Sequence, residues 1–272
     1  MPRKPVVDGQ FYPAEPGRLR AAIESYTPKV EQKERALGLL SPHAGYPFSG
    51  PVAGKTFARV AVPRAVVLLN PSHSYDRPPF ALWTGGDWET PLGPVALHEG
   101  LTAALADLPA VTADDRPHLP EHSAEVVLPF IQYHNPAARI AVICVTASAS
   151  LDALRRLGAS LADVIRQSGE PDALVVASSD MSHESGGRAL DVVNRNDPLA
   201  IAQMEGLSPE GLYTVCRQES ITMCGVLPAV AMMSAVAARG GSRGVLAARA
   251  TSADSPLGTG SYVVGYAGML FE

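Results

Sequence analysis

Short runs of aliphatic and β-branched residues alternate along the chain with longer stretches in which apolar positions recur every three or four residues. The short runs predict strands at "RALGLLSP" (35–42), "RAVVLLNPS" (64–72), "FALWT" (80–84), "RIAVICV" (139–145), "DALVVASSD" (172–180), "GVLAARATS" (244–252) and "GSYVVGYAGMLF" (260–271). Several are apolar at consecutive positions, as strands covered on both faces must be. Helices are expected over 15–26, 49–60, 121–134, 150–168, 188–204, 209–217 and 224–238. In the 150–168 stretch Leu151, Leu154, Leu157, Leu161, Val164 and Ile165 make one stripe. Ser49 is the expected cap of the second helix, and Pro129 interrupts the third.

Strand followed by helix, repeated without an internal repeat or linker, implies a single α/β domain over residues 1–272. Its central sheet should be mostly parallel or mixed, with helices on both faces. Such sheets take ligands at the carboxyl ends of their strands. A chain of 272 residues can bury a sufficient core without disulfide or metal staples. Its formal charge of −5, with no run of basic residues, excludes nucleic acid as an expected partner. No apolar run approaches the ~20 residues of a membrane helix. The amino terminus lacks the apolar stretch of a secretory signal. Cys144, Cys216 and Cys224 are widely spaced and odd in number, which favours a reducing compartment, with the cytoplasm as the expected location.

Three predicted strands end alike. "LLSPHAGY", "LLNPSHSYD" and "VVASSDMSH" each stop an apolar run and deliver a histidine within a few residues: His43, His73 and His183. On a parallel sheet these ends converge, so the repeated ending collects imidazoles in one crevice. Imidazole ligates zinc, iron, copper and nickel and also titrates near neutral pH, so metal binding and acid–base chemistry are both open. Asp180, three residues before His183, can reach the same crevice or orient a ring.

In "LPEHSAEVVLPF", Glu121, His122 and Glu125 stand at the head of an otherwise apolar helix; His122 and Glu125 are candidates to contact a cofactor or substrate. The alternative is that the acidic residues only favour a helix amino terminus. Cys224 precedes an apolar helix whose amino terminus would lower a thiol pKa, making it a candidate ligand or nucleophile; a buried structural cysteine is the competing reading. Cys144 and Cys216 are expected in the core, and His98, His118 and His134 at the surface. No Walker A loop, G-x-G-x-x-G, H-E-x-x-H, paired C-x-x-C or G-x-S-x-G elbow occurs.

Taken in order, "VVDGQFYPAEP", "SPHAGYPFSG", "NPSHSYD", "EHSAEVVLPFIQ", "VVASSDMSH", "TMCG" and "SYVVGYAGMLF" resemble the Memo family, whose microbial members include AmmeMemoRadiSam system protein B. The resemblance covers nearly the whole chain. It implies a fold similar to class III extradiol ring-cleavage dioxygenases. It also implies a metal held by His43, His73 and Cys224, with His183 and Asp180 as the neighbouring acid–base pair. Fe(II) is the implied metal, ahead of copper or zinc, in a redox protein. A zinc hydrolase and a non-catalytic module binding a small molecule or peptide in the crevice are the rivals. The implied partners are radical SAM and AMMECR1-like proteins. Ser74, Phe48 and Glu184 depart from the residues usual in this family and alter the expected pocket wall.

Overall fold

The computed structural model describes residues 1–272. Its strands are β1 (Gly38–Ser41), β2 (Ala65–Pro71), β3 (Phe80–Leu82), β4 (Trp88–Thr90), β5 (Gly93–Val95), β6 (Thr112–Ala113), β7 (Arg139–Val145), β8 (Leu174–Ser178), β9 (His183–Ser185), β10 (Gly244–Thr251) and β11 (Tyr262–Phe271). Its helices are α1 (Pro16–Tyr26), α2 (Tyr46–Arg59), α3 (Glu99–Ala106), α4 (Leu128–His134), α5 (Leu151–Gln167), α6 (Ala189–Glu205), α7 (Pro209–Gln218) and α8 (Val226–Ala238).

The main sheet runs β10-β11-β1-β8-β2-β7-β3-β6, with β9 paired to β11, and β4-β5 form a separate hairpin. Its centre, β1-β8-β2-β7, is parallel, and β11, β10 and β3 join antiparallel, so the sheet is mixed. Consecutive side chains of β2 explain the two-sided apolar pattern. Val67 and Leu69 enter a core shared with α3, α5, α6, α7 and α8, whereas Val66 and Leu68 enter a second core shared with α1, α2 and α4. α5 and α8 pack closely because Gly158 has no side chain: a Cβ there would lie 2.4 Å from that of Ser234. No helix is long and apolar enough to cross a membrane.

The seven expected strands all form, with ends shifted by up to three residues. Two helices differ. α2 starts at Tyr46 with Gly45 at its cap and Pro47 in the first turn, where a missing N–H costs nothing, and the Ser49 hydroxyl instead donates back to the Ala44 carbonyl at 2.7 Å. The expected 121–134 helix is helical only from Leu128, and Pro129 opens it rather than interrupting it. Residues 121–122 are irregular and 123–127 form turns, and the acidic side chains of this segment are committed elsewhere, as described below. Strands β4, β5, β6 and β9 had no expected counterpart; they are only two or three residues long, too short for a period to show.

Candidate metal centre

Strands β1, β8 and β2 are parallel neighbours, so the segments that follow them leave the sheet at one rim. His43 and His73 meet there, and the irregular segment just before the 123–127 turns adds His122. Ring nitrogens of these three residues all lie within 4.8 Å of one another. The His43 ring stands nearly perpendicular to both others, at centroid distances of 5.6 Å from His73 and 5.5 Å from His122, and those two stack at 4.8 Å.

The anchoring of each ring fixes which nitrogen is free. The Ser178 hydroxyl spends its only proton on the Ser123 carbonyl (2.6 Å), so its oxygen accepts from His43, whose Nδ1–H lies 2.7 Å away. The His73 Nδ1–H donates to Glu121 Oε1 at 2.9 Å, and His122 Nδ1 approaches the same oxygen at 3.5 Å. With Nδ1 hydrogen-bonded on His43 and His73, Nε2 is left as the lone-pair atom of those two rings. Hydrogen-bonding the remote nitrogen to set the tautomer is how proteins prepare histidine for a metal.

Glu121 is therefore the hinge of the cluster, although it touches no free Nε2. It is 1% exposed and also accepts the backbone N–H groups of His73 (2.7 Å) and Ser123 (2.9 Å). Burial alone would raise its pKa, but the His73 ring and these backbone donors outweigh it and hold the carboxyl down to about 2. The hydrogen bond to Glu121 raises the pKa of His73, which is the same interaction seen from its partner. Burial lowers the pKa of both His43 and His122, and the neighbouring imidazoles push His43 further down. His43 and His122, favoured as neutral rings, keep the lone pairs that a cation requires, whereas His73 would have to give up the proton that Glu121 favours.

Cys224 lies beside this set rather than inside it. Its Sγ is 3.4 Å from His43 Nε2 and accepts the Asp180 N–H at 3.3 Å. Gly225 permits the approach, because a Cβ at that position would stand 2.3 Å from the Ser178 carbonyl oxygen. The expected lowering of the thiol pKa does not occur: burial, followed by the nearby Asp180 carboxylate, pushes it up. The N–H groups of Asp180 and Gly225 and the Ser179 hydroxyl act in the opposite direction without offsetting that cost.

Asp180 does not hold His183. Its Oδ1 accepts the N–H groups of His43 (2.8 Å) and Ala44 (3.3 Å), its Oδ2 lies 4.0 Å from His43 Nε2, and burial raises its pKa. His183 is tied instead to Thr222: its N–H donates to the Thr222 hydroxyl at 2.6 Å, and its Nδ1–H to the Thr222 carbonyl at 3.1 Å. Asp180 and His183 line a crevice of about 470 Å³ that also receives His43, His73 and His122. Phe11, Phe48, Leu257, Tyr262 and Tyr266 form its apolar wall.

Glu125 corrects the expectation of a cofactor contact. It is fully buried and accepts from Arg3, Tyr12 and the backbone N–H groups of Val6 and Val7, so none of its capacity faces the crevice. His118, expected at the surface, is 0% exposed, with its Nε2–H donated to the Ala81 carbonyl. Cys144 and Cys216 lie in the core as expected. The place of His122 among possible ligands was readable in part, because Glu121 adjoins it in sequence and ligating rings need such an acceptor. Ser178 and Ser123, which fix the His43 tautomer, carry no local signal.

A cation bound here would have three imidazole nitrogens, a donor set suited to first-row transition metals. The ligand atoms are somewhat farther apart than about 3–4 Å, the spacing expected around an ion at ~2.1 Å from each nitrogen, so binding would draw the rings inward.

A family model described as Memo-like protein matches residues 3–270. The MEMO1 family protein of Aquifex aeolicus is 37% identical over 275 residues, covering 99% of this chain and 98% of the relative. That of Methanopyrus kandleri is 37% identical over 287 residues, covering 100% and 99%. An uncharacterized protein of Escherichia coli K12 of known crystal structure aligns over 86% of this chain and 99% of its own, at a TM-score of 0.49 and 16% identity, a likeness too weak to argue from. Matched from end to end by the family model and by its relatives, the chain belongs to the Memo family.

Proposed function

We propose that the crevice is a mononuclear metal centre in which His43, His73 and His122 hold Fe(II), with copper or zinc as the competing ions. The supporting observation is that three imidazoles each offer a ligand atom within 4.8 Å of the others, while the hydrogen bonds of Nδ1 on His43 and His73 leave Nε2 of those two rings as the lone-pair atom. Cys224 Sγ is the adjoining fourth donor, and it would give up its proton on binding. A bound Fe(II) would supply redox chemistry and open positions for O₂ or a small-molecule ligand.

The protein's own groups define the rest. His183 keeps its Nδ1–H on the Thr222 carbonyl, so its Nε2 is free to accept a proton from a ligand in the crevice. Asp180 acts on the ligand set, fixing the backbone at His43 by accepting the N–H groups of His43 and Ala44. The apolar wall packs the carbon skeleton of a ligand and thins the water around the reacting atoms. A crevice of about 470 Å³ is within the range for small-molecule sites.

Anaerobic loading with each metal separately, followed by metal analysis and O₂-uptake measurements on candidate ligands, tests the reading. One ion per chain is expected, lost on His43→Ala, His73→Ala and His122→Ala alike; full loading of all three variants would refute it. An all-imidazole set also suits zinc-activated water, so turnover independent of O₂ on a zinc-loaded protein would move the chemistry to hydrolysis.

A further inference from the structure

The chain before α1 contributes no strand to the main sheet, yet it holds the segment that carries His122. Arg3, 1% exposed, pairs with fully buried Glu125 at 2.5 Å. The same guanidinium donates to the carbonyls of His118 (3.0 Å) and Glu121 (2.5 Å) and lies over the Trp88 ring at 4.3 Å. One arginine thus grips the 118–125 segment at three points. Glu125 returns the grip, accepting from Val6 N, Val7 N and the Tyr12 hydroxyl.

These contacts alone would describe a fold-stabilising ion pair. Phe11 gives them a direction. Its ring packs edge-on against His122 at 5.0 Å and lines the crevice, and its carbonyl accepts the Tyr46 N–H at 2.7 Å, beside the loop that carries His43. Residues 121–127 have no sheet or helix of their own to hold them; the Arg3 guanidinium holds the Glu121 carbonyl and the Phe11 ring packs on His122.

We propose that residues 3–12 form a latch that holds Glu121 and His122 in the metal cluster, with Arg3 and Phe11 as positioning residues; this rests on reading the three histidines as ligands. Arg3→Lys keeps a charge for Glu125 but cannot fork to two carbonyls as well. Phe11→Ala removes only the ring against His122.

Two measurements decide it. Titration with Co²⁺ should show binding roughly 10–100-fold weaker in both variants, the range for loss of groups that orient a ligand. Labelling of the metal-free protein with diethyl pyrocarbonate, read by mass spectrometry, should modify His122 several-fold faster in Phe11→Ala than in the parent, with His98 unchanged. Parent-like Co²⁺ affinity together with a parent-like labelling rate at His122 overturns the latch. If Arg3→Lys does not fold, Phe11→Ala decides. If the parent itself binds no Co²⁺, the three-histidine reading fails, and the labelling rate alone decides whether the latch exists.

Discussion

Replacing Glu121 by glutamine separates an oriented cluster from histidines that merely lie close together. The side chain keeps its shape but gains a donor. Because Oε1 receives the His73 ring, the Ser123 N–H and the approach of His122, the glutamine oxygen is best placed there. Its NH₂ then faces the His73 backbone N–H, which now donates to Oε2 at 2.7 Å. Losing a hydrogen bond to a charged acceptor costs about 1.5–3 kcal/mol, and a buried N–H left without a partner costs ~1–3 kcal/mol. Since these overlap, the variant should lose about 3 kcal/mol in urea unfolding of the metal-free protein. Its affinity for Co²⁺ should fall roughly 10–100-fold, as the acceptor of the His73 ring loses its charge and the His73 backbone loses its anchor on Oε2. A loss below about 0.5 kcal/mol, typical of an ordinary surface site, together with parent-like Co²⁺ binding would refute the assignment of Glu121 as the orienting group.

Three further outcomes are expected. His118 is buried neutral with its pKa pushed down to about 4, so the unfolded chain binds more protons between pH 6.5 and 4 and stability falls as pH drops through that window. The loss amounts to roughly 3 kcal/mol; His118→Gln, which can keep a donor for Ala81, should flatten that part of the urea-unfolding pH profile, and unchanged slopes would contradict the burial argument. Cys224→Ser should weaken Co²⁺ binding less than any of the three His→Ala changes and abolish a sulfur-to-cobalt charge-transfer band, whereas an identical spectrum would remove the thiol from the donor set. Gly225→Ala would force a Cβ to 2.3 Å from the Ser178 carbonyl, displacing Cys224 or the end of β8. It should destabilise by about 1–3 kcal/mol, read as a lower urea midpoint, and a parent-like midpoint would show that the segment yields freely.

The strands were legible because both faces of the sheet are covered, so apolar residues in β2, β7 and β8 run together in a way few other structures demand. Convergence of His43, His73 and His183 followed from strand endings alone, since parallel neighbours must release their chains at one rim. What stayed hidden was set by contacts distant in sequence. The helical pattern of 121–134 misled because Glu125 takes its partners from residues 3–12, over a hundred positions away, and this holds the preceding turns out of a helix. His118 looked like a loop histidine because the indoles of Trp83 and Trp88, which bury it, come from other segments. The thiol of Cys224 was expected to be acidic from its place before a helix, yet burial beside Asp180 dominates there.

The central claim is that three Nε2 atoms converge on one ion. Crystals of the Co²⁺-loaded protein, with anomalous diffraction recorded on both sides of the cobalt edge, test it most directly. The account predicts a single peak about 2.1 Å from Nε2 of His43, His73 and His122. A peak bonded to other residues, or none in protein shown to be folded and loaded, would contradict it.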